Sequence, residues 1–352
     1  MKATIALLPG DGIGPEIIKA AKAVVSTVAN KFGHDFVYSE GLIGGAAIDA
    51  TGDPYPQETQ RLCESSDAVL FGAIGDPKYD NDPSAQVRPE QGLLKMRKTL
   101  GLYANIRPIY TFPSLIHKSP LRQEIVQNAD FMVIRELTGG IYFGEPRGRR
   151  DEGKTAFDTS LYTYDEVERI AHFGFDAARK RNKRMTVVDK ANVLETSRLW
   201  REVVQSMAKE HADVEVDYMF VDNAAMQIIK NPTAFDVVLT ENMFGDILTD
   251  EASVITGSIG LLPSASIGEK TSVYEPIHGS YPKAAGQNTA NPVGTILSAA
   301  LMFEYSFSLT DEAQAITRAV NEVLSAGDGT KDIAMNSPLG TDELAEKICN
   351  HI

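Results

Sequence analysis

The chain reads as an α/β protein built from two domains. Three observations carry that reading. Short apolar runs alternate with longer segments of helical period, each apolar run is bounded by charge, glycine or proline, and 352 residues are more than one simple core organises. The composition, 43% hydrophobic and 23% charged, is that of a globular chain and not of a disordered or fibrous one.

The expected strands, in order, are Thr4 to Leu8, Ala68 to Phe71, Phe131 to Arg135, Met185 to Asp189 and Val237 to Thr240. Each is too short for a helix, and the helical segments between them imply parallel pairing. Pro15 to Val28 is expected to be a helix, because proline is favoured in the first turn after the glycine-rich stretch before it. Thr163-Tyr-Asp-Glu166 has the spacing of a capping box and precedes Val167, Ile170, Ala171, Gly174 and Ala178 at helical spacing. Ser197 to Ala208 and Asn291 to Tyr305 read the same way. The segment Gly139 to Asp158 is rich in turns and charge, and its GIYFG core reads as a β-arm that reaches a second subunit. No repeat or long linker divides the sequence, so the domains are expected to share strands or interleave.

Thirty-four lysines and arginines against 48 acidic residues leave a net charge of −14. Such a surface repels phosphate backbones and anionic lipids, so neither nucleic acid nor membrane is an expected partner. Arginines gathered in one cleft would stand out to a small anion all the more. The two cysteines, Cys63 and Cys349, have no metal-ligand spacing or disulfide framework, which makes a reducing, cytoplasmic compartment the simplest expectation. MKATIALLPGDG does not read as a signal peptide, and Val293 to Phe303, with Thr295 and Ser298 inside it, is shorter than the ~20 residues of a membrane span.

Leu8-Pro-Gly-Asp-Gly-Ile-Gly-Pro-Glu16 follows a strand and opens a helix, as a dinucleotide fingerprint does. Pro15 stands where the third glycine belongs, so a Rossmann reading fails and the turn is one that approaches a ligand through bare backbone.

The chemistry-bearing residues cluster elsewhere. Arg97 and Arg107 flank the end of RPEQGLLKMRKTLGLYANIR, and two guanidinium forks converging on one pocket suit a dicarboxylate. Glu90, Leu93 and Leu94 share a helical face and would form an apolar wall with one acidic edge, although an ordinary amphipathic helix with surface arginines is the competing reading. Asp246 and Asp250 lie four apart, so two carboxylates point the same way, as they would around Mg²⁺ or Mn²⁺ or on a solvated acidic face. Asp222, after the apolar stretch Tyr218 to Val221, is a candidate third ligand or a turn residue. Lys190 follows a strand at its carboxyl end, where α/β proteins build sites, and burial beside cations would lower its pKa toward that of a general base. Tyr142, seven residues beyond Arg135, is a candidate proton donor. Taken singly, this lysine and this tyrosine read more readily as structural than as catalytic.

LLPGDGIGPE, the arginine segment, RELTGGIYFGEPRG, DKANVLE, ENMFGDILTDEAS, GSIGLLPSAS and EPIHGSYPKAAGQNTANP occur in this order over residues 3 to 345. Together they resemble the isocitrate/isopropylmalate dehydrogenase family of metal-dependent β-decarboxylating dehydrogenases. The resemblance implies a non-Rossmann fold with a cofactor-binding domain over residues 1–102 and 257–352, a dimerisation and substrate domain over residues 103–256, a site in the cleft between them, and a cytoplasmic homodimer with shared active sites. It implies oxidative decarboxylation of 3-isopropylmalate to 4-methyl-2-oxopentanoate with NAD, in leucine biosynthesis. Arg97, Arg107 and Arg135 would bind the malate part, with Glu90, Leu93 and Leu94 selecting its substituent. Asp246, Asp250 and a neighbour's Asp222 would hold Mg²⁺ or Mn²⁺, Asp222 also bordering the substrate, while a neighbour's Lys190 would act as base and Tyr142 as acid. For the cofactor, the loop Glu275 to Asn291, through Glu275, His278, Gly279, Ser280, Lys283 and Asn291, would wrap the adenosine, helped by Ile13, Gly260, Ser264 and the segment Gly75 to Glu90. Lys283 departs from the aspartate usual in NAD-dependent members. Lysine there suits the 2′-phosphate of NADP, yet Ala284 replaces the tyrosine that accompanies it, and Asp342 to Lys347 lacks the further contacts, so NAD remains the expectation. The alternatives are another 3-substituted malate or tartrate as substrate, an NADP-preferring member, or a non-catalytic regulatory subunit.

Overall fold

The computed structural model describes residues 1–80 and 87–352. They form two compact units, Met1–Leu102 with Phe112–Lys118 and Thr256–Ile352, and Tyr103–Thr111 with Ser119–Ile255.

The first unit opens with β1 (Lys2–Gly10), α1 (Gly14–Phe32), β2 (Asp35–Glu40), α2 (Gly45–Thr51), α3 (Gln57–Ser65), β3 (Ala68–Ala73), α4 (Pro77–Asp80) and α5 (Pro89–Thr99). β1 runs parallel to both β2 and β3. α1 begins with Pro15 where no intrahelical N–H is required, buries Ile17, Ala21, Val24, Val25 and Val28, and stops at Gly33, whose φ of 77° only glycine adopts cheaply. In α5, Gly92 lies against the Pro54 carbonyl, and a Cβ there would come within 2.5 Å of that oxygen.

The second unit contains β4 (Leu102–Tyr110, from Tyr103 onward), α6 (Gln123–Val126), β5 (Asp130–Glu136), β6 (Gly148–Arg150), β7 (Thr155–Phe157), α7 (Tyr164–Arg179), β8 (Arg184–Asp189), α8 (Glu195–Ala208), β9 (Glu215–Phe220), α9 (Val221–Lys230), β10 (Val237–Thr240) and α10 (Asn242–Ser253). Its main strands lie in the order β4-β5-β10-β8-β9. The capping box of α7 is formed. Thr163 Oγ1 accepts from the Glu166 amide at 3.3 Å, and Glu166 accepts from the Thr163 amide at 2.8 Å.

The chain then returns to the first unit with β11 (Pro263–Gly268), β12 (Val273–Pro276), α11 (Val293–Tyr305), α12 (Thr310–Ser325) and α13 (Thr341–His351). β12 is parallel to β3 and antiparallel to β11. α11 is apolar on every side and buried from Val293 to Phe303, as a helix without a polar face must be.

The five expected strands pair in parallel where they meet, and the antiparallel pairs β4-β5 and β11-β12 involve strands that the sequence did not mark. Two expectations are corrected. The GIYFG segment is no strand but a single 3-10 turn, Gly140–Tyr142, and the paired strands of the arm are β6 and β7 beyond it. The cause is close packing: Gly140 has φ 73°, and a Cβ there would meet the Tyr162 hydroxyl at 2.5 Å, so the chain curls around that ring. The helix expected from Asn291 starts at Val293, because the Asn291 side chain accepts the Val293 N–H at 3.0 Å.

Candidate active site

In the second unit, four parallel strands deliver residues to their carboxyl ends. β5 ends in Arg135 and Glu136, β10 leads into α10, β8 into Lys190 and β9 into Asp222 on the first turn of α9. Carboxyl ends of parallel strands are where α/β proteins place sites.

Arg135 is 2% exposed. Its Nε and Nη2 donate to Asn242 Oδ1 at 3.0 and 2.8 Å, and Nη1 contacts Asp246. The other Asp246 oxygen accepts from the Tyr142 hydroxyl at 2.9 Å. Arg107, on β4, is also buried. It donates to Asn105 at 2.8 Å and to Thr249 Oγ1 at 2.6 Å, and its Nη1 lies 3.7 Å from Asp250. Burial raises the Asp250 carboxyl, Arg107 opposes the rise and Asp246 adds to it. Two carboxylates on one helix face, one of them reluctant to ionise, form a hard-oxygen set suited to Mg²⁺ or Mn²⁺.

Lys190 Nζ is 2.9 Å from Asp222, and this hydrogen bond holds the Asp222 carboxyl below its usual range. Within its own chain the ammonium faces a carboxylate and the Phe220 ring, 5.9 Å away. Asp189, one residue earlier, is committed to Arg201 through bonds of 2.8 Å. Among the described residues no three His, Cys, Asp or Glu side chains gather as a metal shell, so Asp222 is not brought to Asp246 and Asp250 within one chain.

In the first unit, Glu90, Leu93, Leu94 and Arg97 follow one another along α5 at i, i+3, i+4 and i+7. Arg97 is buried with Nη2 3.8 Å from Glu275, while Leu93 and Leu94 are left half-buried and Glu90 exposed. An apolar pair that the fold does not cover is a ready wall for an apolar substituent.

A cavity of about 640 Å³ opens in the same unit, lined by Ile13, Gly260, His278, Gly279 and Asn291 together with Ser258, Ile259, Tyr281, Thr289, Ala290, Lys331 and Asp332. That volume suits a nucleotide-sized ligand. His278 Nδ1 is 2.9 Å from the Gly279 carbonyl, so it carries the proton and Nε2 is the acceptor; Nε2 is buried with no partner among the described residues. Burial lowers the His278 pKa, which keeps the ring neutral. Gly260 sits on the Asn291 side chain, where a Cβ would approach within 2.8 Å.

The remaining residues expected to touch the cofactor are off this wall. Ser280 donates to the Gly75 carbonyl at 2.6 Å while its own carbonyl accepts the Ile13 N–H at 2.8 Å, so Gly75 and Ser280 brace the wall from behind. Ser264 and Glu275 pair with each other across β11 and β12. Lys283 is exposed on the short 3-10 turn Pro282–Ala284. Part of the segment Gly75 to Glu90 lies outside the described residues. Sequence reasoning missed Lys331 and Asp332. The Asp332 carboxylate accepts from Ser258 at 2.5 Å, Asn291 at 2.9 Å and Thr330 at 2.6 Å, and only folding brings these groups together.

Comparison with known proteins finds relatives over the whole chain. The profile described as "Isocitrate/isopropylmalate dehydrogenase" matches residues 4–348. A 3-isopropylmalate dehydrogenase of Bacteroides fragilis is 57% identical over 350 residues, covering 99% of this chain and 98% of its own. One from Aquifex aeolicus is 51% identical and covers 100% and 97%. Among solved structures, isocitrate dehydrogenase from Methylococcus capsulatus aligns with a TM-score of 0.88 at 34% identity, covering 99% of both chains. A β-decarboxylating dehydrogenase from Thermococcus kodakarensis aligns with a TM-score of 0.81 at 35% identity, covering 99% of this chain and 96% of that one.

Proposed function

The chain belongs to the isocitrate/isopropylmalate dehydrogenase family, and on that premise we propose that it converts 3-isopropylmalate to 4-methyl-2-oxopentanoate with NAD⁺ and Mg²⁺ or Mn²⁺, in leucine biosynthesis. The observation that carries the reading is the face of α10, where two buried arginines meet two carboxylates four residues apart. A dianionic malate needs the arginines, and a hard cation needs the carboxylates. Relatives at 51–57% identity bear the name 3-isopropylmalate dehydrogenase. Leu93 and Leu94 favour an isopropyl group, because a third carboxylate against them would be desolvated without a partner.

Bound nicotinamide would supply the hydride acceptor, and a bound cation would supply polarisation of the substrate oxygen at C2. Arg107 and Arg135 hold the two carboxylates and orient C2. Lys190 takes the hydroxyl proton, and Tyr142, its hydroxyl already beside Asp246, returns a proton to the carbon that loses CO₂. Asp246 and Asp250 hold the cation. Lys190 and Asp222 come from the neighbouring subunit of a homodimer. Their pairing at 2.9 Å lets them arrive as one unit, and the exposed Met226, Ile247 and Val254 on and just beyond α9 and α10 supply an apolar face for a second copy. His278 and Asn291 receive the adenosine.

A second reading of the coenzyme rests on Lys331, a cation on the cavity wall that would attract a 2′-phosphate. The test is reduction of NAD⁺ and NADP⁺, side by side, with 3-isopropylmalate and Mn²⁺ and with isocitrate, malate and tartrate as competitors. Fastest turnover of isopropylmalate with NAD⁺ is expected. Preference for isocitrate would overturn the role of Leu93 and Leu94, and preference for NADP⁺ would assign Lys331 to a phosphate.

A further inference from the structure

Asn242, Gly245, Asp246, Thr249 and Asp250 occupy positions i, i+3, i+4, i+7 and i+8 of α10, one continuous helix face. Each meets one of the two arginines. Gly245 presses bare backbone on the stem of Arg135, where a Cβ would lie 2.6 Å from Cγ and 2.7 Å from Cβ. Asn242 Oδ1 takes the Nε and Nη2 edge of the same guanidinium, and Thr249 Oγ1 takes Nη1 of Arg107. The two acceptors are themselves locked. Asn242 donates through Nδ2 to the Gly139 carbonyl at 3.1 Å and through its amide to the Tyr162 hydroxyl at 3.0 Å, while Thr249 donates to the Gly245 carbonyl at 2.7 Å. Both are fully buried and both are neutral.

We propose that Asn242 and Thr249 are positioning residues for the dicarboxylate, each fixing one substrate-binding arginine through a neutral oxygen. The inference rests on the reading that Arg107 and Arg135 bind the substrate. A buried guanidinium needs acceptors to hold its direction, and carboxylates in these two places would hold it but would also cancel its charge. Neutral anchors orient each fork without adding to the negative charge that Asp246 and Asp250 already place beside the two arginines. Arg135 keeps two of its five N–H groups without a partner among the described residues, on the edge turned away from Asn242.

Thr249→Val, nearly isosteric, removes only the hydroxyl, and Thr249→Ser restores it; Asn242→Ala is the corresponding change at Arg135. Steady-state kinetics are expected to show KM for 3-isopropylmalate at least tenfold higher in Thr249→Val and Asn242→Ala, KM for NAD⁺ within about twofold of wild type, and Thr249→Ser close to wild type, as loss of a hydrogen bond to a charged group implies. A merely structural role would lower the active fraction and leave both KM values unchanged. That result in Thr249→Val, or an equal defect in Thr249→Ser, would overturn the proposal. If the wild type oxidises no malate at all, the functional reading falls by itself, and calorimetric binding of malonate with Mn²⁺ decides the inference: weaker binding to Thr249→Val supports it, equal binding overturns it.

Discussion

Glu241 is buried at the start of α10, and burial pushes its carboxyl up to about 7; the Phe244 amide and Arg135 oppose the shift, and Glu136 adds to it. An unfolded chain releases this proton near 4.5, so between that pH and about 7 the folded protein binds more protons than the unfolded one. Stability from this group therefore falls as pH rises through that window, by up to about 3 kcal/mol above it. Chemical denaturation of the metal-free protein should find Glu241→Gln more stable than wild type at pH 8 and equal to it near pH 4.5, and a constant difference across the range would contradict the argument. This carboxylate carried no signal in the sequence, where it stands beside the legible Asp246 and Asp250. Arginines, aspartates, Lys190 and Tyr142 were legible because each residue type has its own chemistry. Asn242, Thr249 and Asp332 were not, because a neutral acceptor or a satisfied carboxylate has a role only through partners such as Arg135, Arg107 and Ser258, far away in sequence.

α10 depends on one small residue. A methyl at Gly245 would lie 2.6–2.7 Å from the rigid base of Arg135 and 3.1 Å from Thr240 Cγ2, so the helix must lift or the arginine must turn. Gly245→Ala should cost about 1–3 kcal/mol in thermal or urea unfolding despite alanine's better helix propensity. A gain in stability would mean that the helix has room the geometry denies. Elements with local signals were readable in advance. The α7 capping box and the proline start of α1 act within a turn or two of the residues that form them, so their spacing suffices. The GIYFG turn was misread, because Tyr162 shapes it, and β4 and β11 were not marked as strands, because their place and direction are decided by the strands they pair with.

Two inactive variants test the assembly of the whole molecule. If Lys190 serves the Tyr142 of a neighbouring subunit, Lys190→Ala and Tyr142→Phe dimers, each inactive alone, should regain activity when dissociated together and reassociated, since each heterodimer then holds one intact site. No recovery, with heterodimers verified by mass, would place both residues' work within one chain. The sequence by itself determined the α/β class, the residues with intrinsic chemistry and, through its long ordered motifs, the family, because apolar period, charge and residue type are local properties. The tertiary structure decided which neutral atoms aim the arginines, that Lys190 pairs with Asp222, and that Lys331 rather than Lys283 lines the cavity. Those facts depend on distances between segments remote in the chain, and a distance exists only once the chain has folded.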